Sequence, residues 1–255
     1  MKNATTRDGA NGRKTPLALI AAGGEGKRLG SIGPKALVFC AGRPLLAWCL
    51  DAFAASAAFG DGAGLVVVAA HASDLPAFED AAEEARGNGL KVLVTAGGPS
   101  RSHSVAAALS AGQTATRESA DIVLVHDAAR IFTTPGLIDA LHASLTTGPR
   151  DVAALVAAKP VTDTIKLVDD HNVVHETPPR EKLWAVQTPQ AFRIDALEDA
   201  LSADNETLAT ATDDASLVEA RGGKVKIYDW KAPNPKITTP EDLAAAEAEL
   251  SRSIS

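Results

Sequence analysis

From Leu17 onward, short apolar runs alternate with stretches in which apolar residues recur every three or four positions. Leu17–Ala21, Leu65–Ala70, Lys91–Thr95, Asp121–Val125 and Val152–Ala157 are nearly continuous in small and branched aliphatic residues. Runs of this kind suit strands covered on both faces of a sheet. The intervening segments predict helices. One begins near Pro44, whose fixed φ suits a first helical position, and it lines up Leu45, Leu46, Cys49, Leu50 and Phe53 on one face. Others are predicted over Leu75–Arg86, Ser102–Ala111 and Pro135–Leu145. Such alternation points to right-handed βαβ units, and so to an α/β fold with a three-layer, Rossmann-like, mostly parallel sheet.

The rhythm changes after Ala158. Residues 159–187 alternate polar and β-branched positions around Pro178 and Pro179 and predict an extended β-arm protruding from the sheet. Regular structure resumes over Ala191–Leu201 and Asp213–Ala220, followed by a strand at Lys224–Asp229. A last helix starts at Pro240, with Thr239 as N-cap and Glu241 and Asp242 favouring the helix dipole. Residues 1–15 are polar and lack an apolar signal region, so a disordered N-terminal tail is expected before a single domain over residues 16–255.

Composition narrows the class. Of 255 residues, 45% are hydrophobic and 22% charged, as in ordinary globular proteins, and only 4% are aromatic, so Ala, Val, Leu and Ile must build the core. No apolar run approaches the roughly 20 residues of a membrane span. Cys40 and Cys49 match no metal or redox spacing and read as buried thiols in a reducing, cytoplasmic setting. The net charge of −7 argues against a nucleic-acid binder, which would show a basic stripe. Cations are nevertheless concentrated early, at Lys27, Arg28, Lys35 and Arg43, with Glu25 the only acidic residue among them.

That cluster sits on the turn after the first strand, Ala21-Ala22-Gly23-Gly24-Glu25-Gly26-Lys27-Arg28-Leu29-Gly30. Glycines let backbone N–H groups approach a phosphate, and Lys27 and Arg28 neutralise its charge. Two common phosphate-binding templates fail here. The dinucleotide fingerprint fits Gly24 and Gly26 but then meets Leu29. A Walker A loop would need Ser or Thr where Arg28 stands, and Gly at Ala21.

The stretch AAGGEGKRLG with PKAL resembles the signature loop of the sugar-nucleotidyltransferase superfamily. The later motifs GGPSRSHSV, VHDAAR, PVTDTIK, AVQTPQAF, TDDASLVE and PKITTPEDL follow in the order of its methylerythritol phosphate cytidylyltransferase family. This resemblance spans nearly all of residues 17–250 and implies a nucleotide-diphospho-sugar transferase type of fold. It implies CTP as co-substrate, with Mg²⁺, and 2-C-methyl-D-erythritol 4-phosphate as acceptor. By similarity, Ala22, Gly23, Gly24, Gly26 and Lys27 form the CTP-binding loop, and Arg28 and Lys35 meet the reacting α-phosphate. Gly98, Arg101 and Ser104 shape the cytidine pocket. Asp127 accepts from substrate hydroxyls near Arg130, Thr188 lies beside the acceptor, and Lys236 holds its phosphate. The family's arm crosses a homodimer interface, and Thr164 and Arg180 match residues donated to the neighbouring site. The metal ligands are left open.

An acceptor phosphate monoester, with a second pKa near 6, is already largely dianionic at neutral pH and needs no general base. The expected catalysis is therefore positioning and charge stabilisation. Two other readings stay open from sequence: a cytidylyltransferase for another polyol phosphate, such as ribitol 5-phosphate, and a catalytically silent nucleotide-binding homologue. VHDAAR and the PKITT segment favour the methylerythritol reading. Retention of Arg28, Lys35 and Asp127 speaks against silence.

Overall fold

The computed structural model describes residues 14–30, 33–116 and 120–254. Its strands are β1 (Leu17–Ala21), β2 (Phe39–Cys40), β3 (Arg43–Pro44), β4 (Leu65–Ala70), β5 (Lys91–Ala96), β6 (Ile122–Asp127), β7 (Val152–Pro160), β8 (Leu167–Val168), β9 (Val174–Glu176), β10 (Trp184–Arg193) and β11 (Lys224–Asp229). Its helices are α1 (Leu45–Ala54), α2 (Leu75–Gly87), α3 (Arg101–Thr116), α4 (Pro135–Thr147), α5 (Ile194–Leu201), α6 (Asn205–Thr210), α7 (Asp214–Ala220) and α8 (Pro240–Ile254). Of the tail expected over residues 1–15, residues 1–13 lie outside the described residues. Lys14 is paired with Asp121.

Seven strands form one sheet in the order β11-β7-β10-β6-β1-β4-β5. All are parallel except β10, which runs antiparallel to both β6 and β7. Alternate residues of each strand face opposite sides, and the packing follows that period. Ala18 and Ile20 of β1 join Leu50, Phe53, Phe78 and Leu141 from α1, α2 and α4 on one face. Leu17 and Leu19 join Val105, Leu197 and Val218 from α3, α5 and α7 on the other. The continuous apolar strands are thus explained by helices on both sides. A third, smaller cluster seats α8 against Cys40, Cys49, Ile131 and Ile237.

Helix starts agree with the sequence to within a residue or two. Pro44 stands just before α1 rather than at its first position, being paired in the β2–β3 hairpin. The Asp242 N–H donates to the Thr239 hydroxyl at 3.3 Å, so Thr239 caps α8 as expected.

The largest departure concerns β10. Trp184, Ala185 and Val186, expected to belong to the arm together with Gln187, pair with Pro160, Lys159 and Ala158 of β7, and residues 191–193, where regular structure was expected to resume, complete the same central strand before α5 begins. Its register slips between Val186 and Gln190, leaving Pro189 in a bulge where no ladder N–H is needed. The arm proper therefore leaves after Pro160 and returns at Trp184, carrying the β8–β9 hairpin between them. Every residue from Thr162 to Thr177 is exposed. At the far end of β10, the buried Arg193 guanidinium donates to the carbonyls of Val152, Leu145, Gly148 and Pro149, locking the strand to the end of α4.

Candidate active site

The sheet order reverses direction between β1 and β6, and at such a switch point the loops beyond the strand ends part to leave a crevice. Register fixes what meets there. Ala21, the last residue of β1, is paired with Asp127, the last residue of β6, so the glycine turn and this carboxylate are neighbours. The turn is pinned in place: Gly24 C=O accepts from Lys35 N–H at 2.9 Å and Gly33 C=O accepts from Gly26 N–H at 2.9 Å. That couples the glycines to the short 3₁₀ turn at Lys35–Leu37, which presents Lys35.

A cleft of about 440 Å³ opens over these strand ends. It is lined by Ala22, Gly23, Gly24, Arg28, Lys35, Gly98, Arg101, Ser104, Asp127 and Lys236, all singled out from sequence, together with Glu25, His71 and Ser100. A larger cleft of about 750 Å³ lies at the opposite end of the strands, by Pro16, Asp121 and His142, and has no comparable convergence of charge. On the β5 side, the wall is set by α3. Ser104 Oγ accepts from Gly98 N–H at 3.1 Å and donates to Ser100 C=O at 2.9 Å. A Cβ on Gly98 would stand 2.4 Å from that of His103, so only glycine permits this close approach.

Asp127 is the centre of the charge arrangement. Its side chain is only 13% exposed, and its two oxygens accept from different cations: Arg101 Nε at 3.1 Å and Lys236 Nζ at 2.7 Å. Burial alone would raise its pKa, but the Arg101 and Lys236 charges outweigh that and hold the carboxyl well below its ordinary range. Arg101 in turn reaches Asp214 through Nη1 at 2.6 Å. Opposing them, the side chains of Arg28 and Lys35 have no hydrogen-bond or ion-pair partner among the described residues. The Lys35 pKa is lowered by burial and by the nearby charges of Lys236 and Arg28, only partly offset by Asp127 and Asp242. Four cationic side chains against two carboxylates make this a site for a polyanion.

Not every expected residue lines the cleft. Lys27 points outward and pairs with Glu25. Gly26 is buried beneath the turn. Arg130 stands behind Asp127, donating to the Asn234 carbonyl at 2.7 Å, and burial lowers its pKa. Thr188 is buried too. Its hydroxyl oxygen accepts from Asp127 N–H at 3.0 Å and lies 3.2 Å from His126 Nδ1, so it orients the strand end from behind. Thr164 and Arg180 lie on the arm, outside the cleft of a single chain, where Arg180 donates to Thr162 C=O.

Two residues that sequence reasoning did not select complete the site's support. Asn234 is buried between two prolines. It donates to Thr188 C=O at 2.8 Å and accepts from the Thr133 hydroxyl at 3.3 Å, which anchors the Lys236 loop. Asp214, the first residue of α7, has a fully buried side chain paired with Arg101. The capping role belongs to Asp213, which accepts from Ser216 N–H at 2.9 Å. The adjacent pair of carboxylates in TDDA was the available signal, since one cap explains only one of them.

Residues 17–252 match the family described as 2-C-methyl-D-erythritol 4-phosphate cytidylyltransferase. A protein of that name from Synechococcus sp. (strain CC9902) is 42% identical over 236 residues, covering 91% of this chain and 96% of that one. Another from Saccharopolyspora erythraea is 42% identical, covering 92% and 98%. The crystal structure of the Thermus thermophilus protein of the same name superposes with a TM-score of 0.70 at 34% identity, covering 93% of this chain and 99% of that one. That of a 4-diphosphocytidyl-2C-methyl-D-erythritol synthase from Anaerococcus prevotii DSM 20548 gives 0.74 at 28%, covering 94% and 100%.

The buried histidine behind Asp127 yields a test of this packing. Burial depresses the His126 pKa to about 4, so the folded ring is neutral, with Nδ1 facing the Thr188 hydroxyl. In the unfolded chain it titrates near its ordinary value of about 6.5. Below that pH the unfolded state gains a proton that the native state cannot take up until about pH 4, so stability is lost across that window. Urea unfolding at pH 7 and pH 4.5 should show the stability advantage over a His126→Gln variant shrinking by on the order of 2–3 kcal/mol. A constant difference would contradict a neutral, buried ring.

Proposed function

This chain belongs to the 2-C-methyl-D-erythritol 4-phosphate cytidylyltransferase family, and from that premise we propose how its cleft carries the reaction. The enzyme is a nucleotidyltransferase: it moves CMP from CTP onto the phosphate of 2-C-methyl-D-erythritol 4-phosphate, releases pyrophosphate and forms the 4-diphosphocytidyl product. The observation that carries the residue assignment is the convergence of unpaired Arg28 and Lys35 with Lys236 beside the glycine turn. The backbone of Gly23 and Gly24 receives the triphosphate, on a turn that Ala22 and Gly26 hold in place through their N–H bonds to the Ala69 and Gly33 carbonyls, with Lys27 at its outer edge. Arg28 and Lys35 meet the α-phosphate, where negative charge builds as the acceptor oxygen attacks and pyrophosphate departs. Gly98, Arg101 and Ser104 shape the cytidine pocket. Lys236 takes the acceptor phosphate, and Asp127 its hydroxyls, with Arg130 and Thr188 holding that end of β6. Because the acceptor phosphate is already anionic, the residues orient and stabilise charge without removing a proton.

Mg²⁺ fits the donor set if it arrives with the triphosphate. No group of three or more metal-ligating side chains exists among the described residues, and Mg²⁺ bound with nucleotides takes one or two carboxylates plus phosphate oxygens and water. Asp127 is the carboxylate placed to contribute. Bound there, the ion would neutralise phosphate charge.

We further infer a domain over residues 16–255 acting as a homodimer. Its support is the arm, whose Ile165, Leu167, Val168, Val173 and Val174 are between 37% and 60% exposed, too much apolar surface for so small a hairpin left bare. In this reading Thr164 and Arg180 serve the partner's acceptor site. The partners are then small molecules and a second copy, with no role for nucleic acid or membrane. A cytoplasmic setting agrees with the free, buried Cys40 and Cys49.

The direct test is pyrophosphate release with CTP and Mg²⁺, comparing methylerythritol phosphate with ribitol 5-phosphate and CTP with the other nucleoside triphosphates. Fastest release is expected with the first acceptor and CTP. Release confined to ribitol 5-phosphate would replace the acceptor, and none from any pair, in protein that binds CTP, would favour a silent homologue.

Lys35→Ala should lower kcat by roughly 10²–10³-fold with the fold intact by circular dichroism, as for loss of one transition-state donor. A folded variant with near-normal kcat would remove Lys35 from the chemistry.

Mixing inactive Arg28→Ala and Arg180→Ala subunits should restore activity at hybrid sites if Arg180 acts across the interface. Activity that stays absent after confirmed subunit exchange would place both residues in one chain's site.

A further inference from the structure

Asp214 stands apart from every role assigned above. Its side chain is 0% exposed, it does not line the cleft, and the cap of α7 is made by its neighbour Asp213. One oxygen, Oδ2, accepts from Arg101 Nη1 at 2.6 Å, while Oδ1 is buried with no hydrogen-bond partner among the described residues. Arg101 is thereby the single cation that the described structure offers this carboxylate. The two nitrogens that Arg101 uses face in different directions: Nη1 holds Asp214, and Nε holds Asp127 Oδ1. A line of alternating charge results, from Asp214 through Arg101 and Asp127 to Lys236, contributed by α7, α3, β6 and the loop before α8.

We propose that Asp214 is a positioning residue that keeps the Arg101 guanidinium on Asp127 when the triphosphate enters the cleft. This rests on the reading that places Arg101 and Asp127 at the reaction site. A triphosphate brings several negative charges into a space already lined by Arg101, and a free guanidinium would turn to them as a bidentate partner. Turning would strip Asp214 of its partner and leave a buried carboxylate uncompensated, which is strongly unfavourable. Lys236 has no such anchor. Its side chain is 42% exposed and, among the described residues, its only ion pair is with Asp127, so it is the cation able to leave for an incoming phosphate. The buried carboxylate therefore divides the labour: Arg101 stays to orient Asp127, and Lys236 is released to substrate.

The consequence separates this role from a merely structural one. Without the anchor, Arg101 joins the triphosphate, so CTP binds as well as before or better while Asp127 loses its orientation. In Asp214→Asn, kcat should fall about 10- to 100-fold, as for a slightly misplaced catalytic constellation, with the KM for CTP unchanged or lowered. Arg101→Met and the double variant Arg101→Met/Asp214→Asn should then have equal kcat, because Asp214 acts only through Arg101. The double variant removes the whole buried pair, and an unpaired Asp214 in the single variant can become neutral, so this comparison stands even where Asp214→Asn folds poorly. A raised KM for CTP with kcat within twofold of the parent in Asp214→Asn would overturn the proposal, as would a further loss of kcat in the double variant. Full turnover in Arg101→Met would instead bring down the assignment of Arg101 to the site, which distinguishes that failure from the failure of Asp214 alone.

Discussion

A carboxylate as enclosed as that of Asp127 stays ionised only where cations meet it, and here they reach it from two sides. Arg101 comes from the first turn of α3 and Lys236 from the loop before α8, so one side chain ties together segments more than a hundred residues apart. The β1–β6 register places the glycine turn beside the same point. The backbone N–H of Asp127 is in turn held by Thr188 from the bulge of β10, and Asn234 fastens that bulge to the Lys236 loop. Loosening the carboxylate would free three loops at once. The cleft is therefore a consequence of how one buried charge is satisfied.

The cations left over are what make the site reactive toward anions. Lys35 is partly buried among like charges, an arrangement that costs stability in the empty protein and is relieved when an anion enters. Such preorganised charge is worth more within a cleft than in water, because it needs no rearrangement as the transition state forms. The glycine turn contributes backbone N–H groups without side chains that would hold the phosphates away. Charge and close approach are thus supplied by the same short segment, Gly23–Lys35, whose two ends are joined by the Gly24–Lys35 backbone bond.

What the sequence made legible was whatever depends on local periodicity or on fixed spacing. β1 and β4 begin and end where their apolar runs do, because strands under two helical layers admit few polar residues. The cleft residues Arg28, Lys35, Arg101, Asp127 and Lys236 could be found because their motifs keep an order along the chain. β10 was hidden for a physical reason. Its polar Gln187 and Gln190 and its proline look wrong for a central strand, and only the bulge, together with the pairing of Gln190 with Asp213, makes them acceptable there. Asp214 was hidden because its partner lies 113 positions away, and nothing local distinguishes a buried ion pair from a helix start.

The position of β10 also explains why an arm exists. β7 and β10 are neighbours and antiparallel, so a tight hairpin could have joined them directly. Instead the chain travels out from Pro160 and back to Trp184, with a hairpin of two- and three-residue strands at its end and no core of its own. A hairpin of that size is marginal in water, and its valines and leucine gain nothing by facing solvent. Among the described residues of one chain, Arg180 has only the carbonyl of Thr162 to bind, on the same arm. An extension that spends apolar side chains and a guanidinium beyond the sheet makes physical sense where another surface receives them. The side of the cleft at Lys236, whose side chain is 42% exposed, is open to solvent in the single chain in the same way.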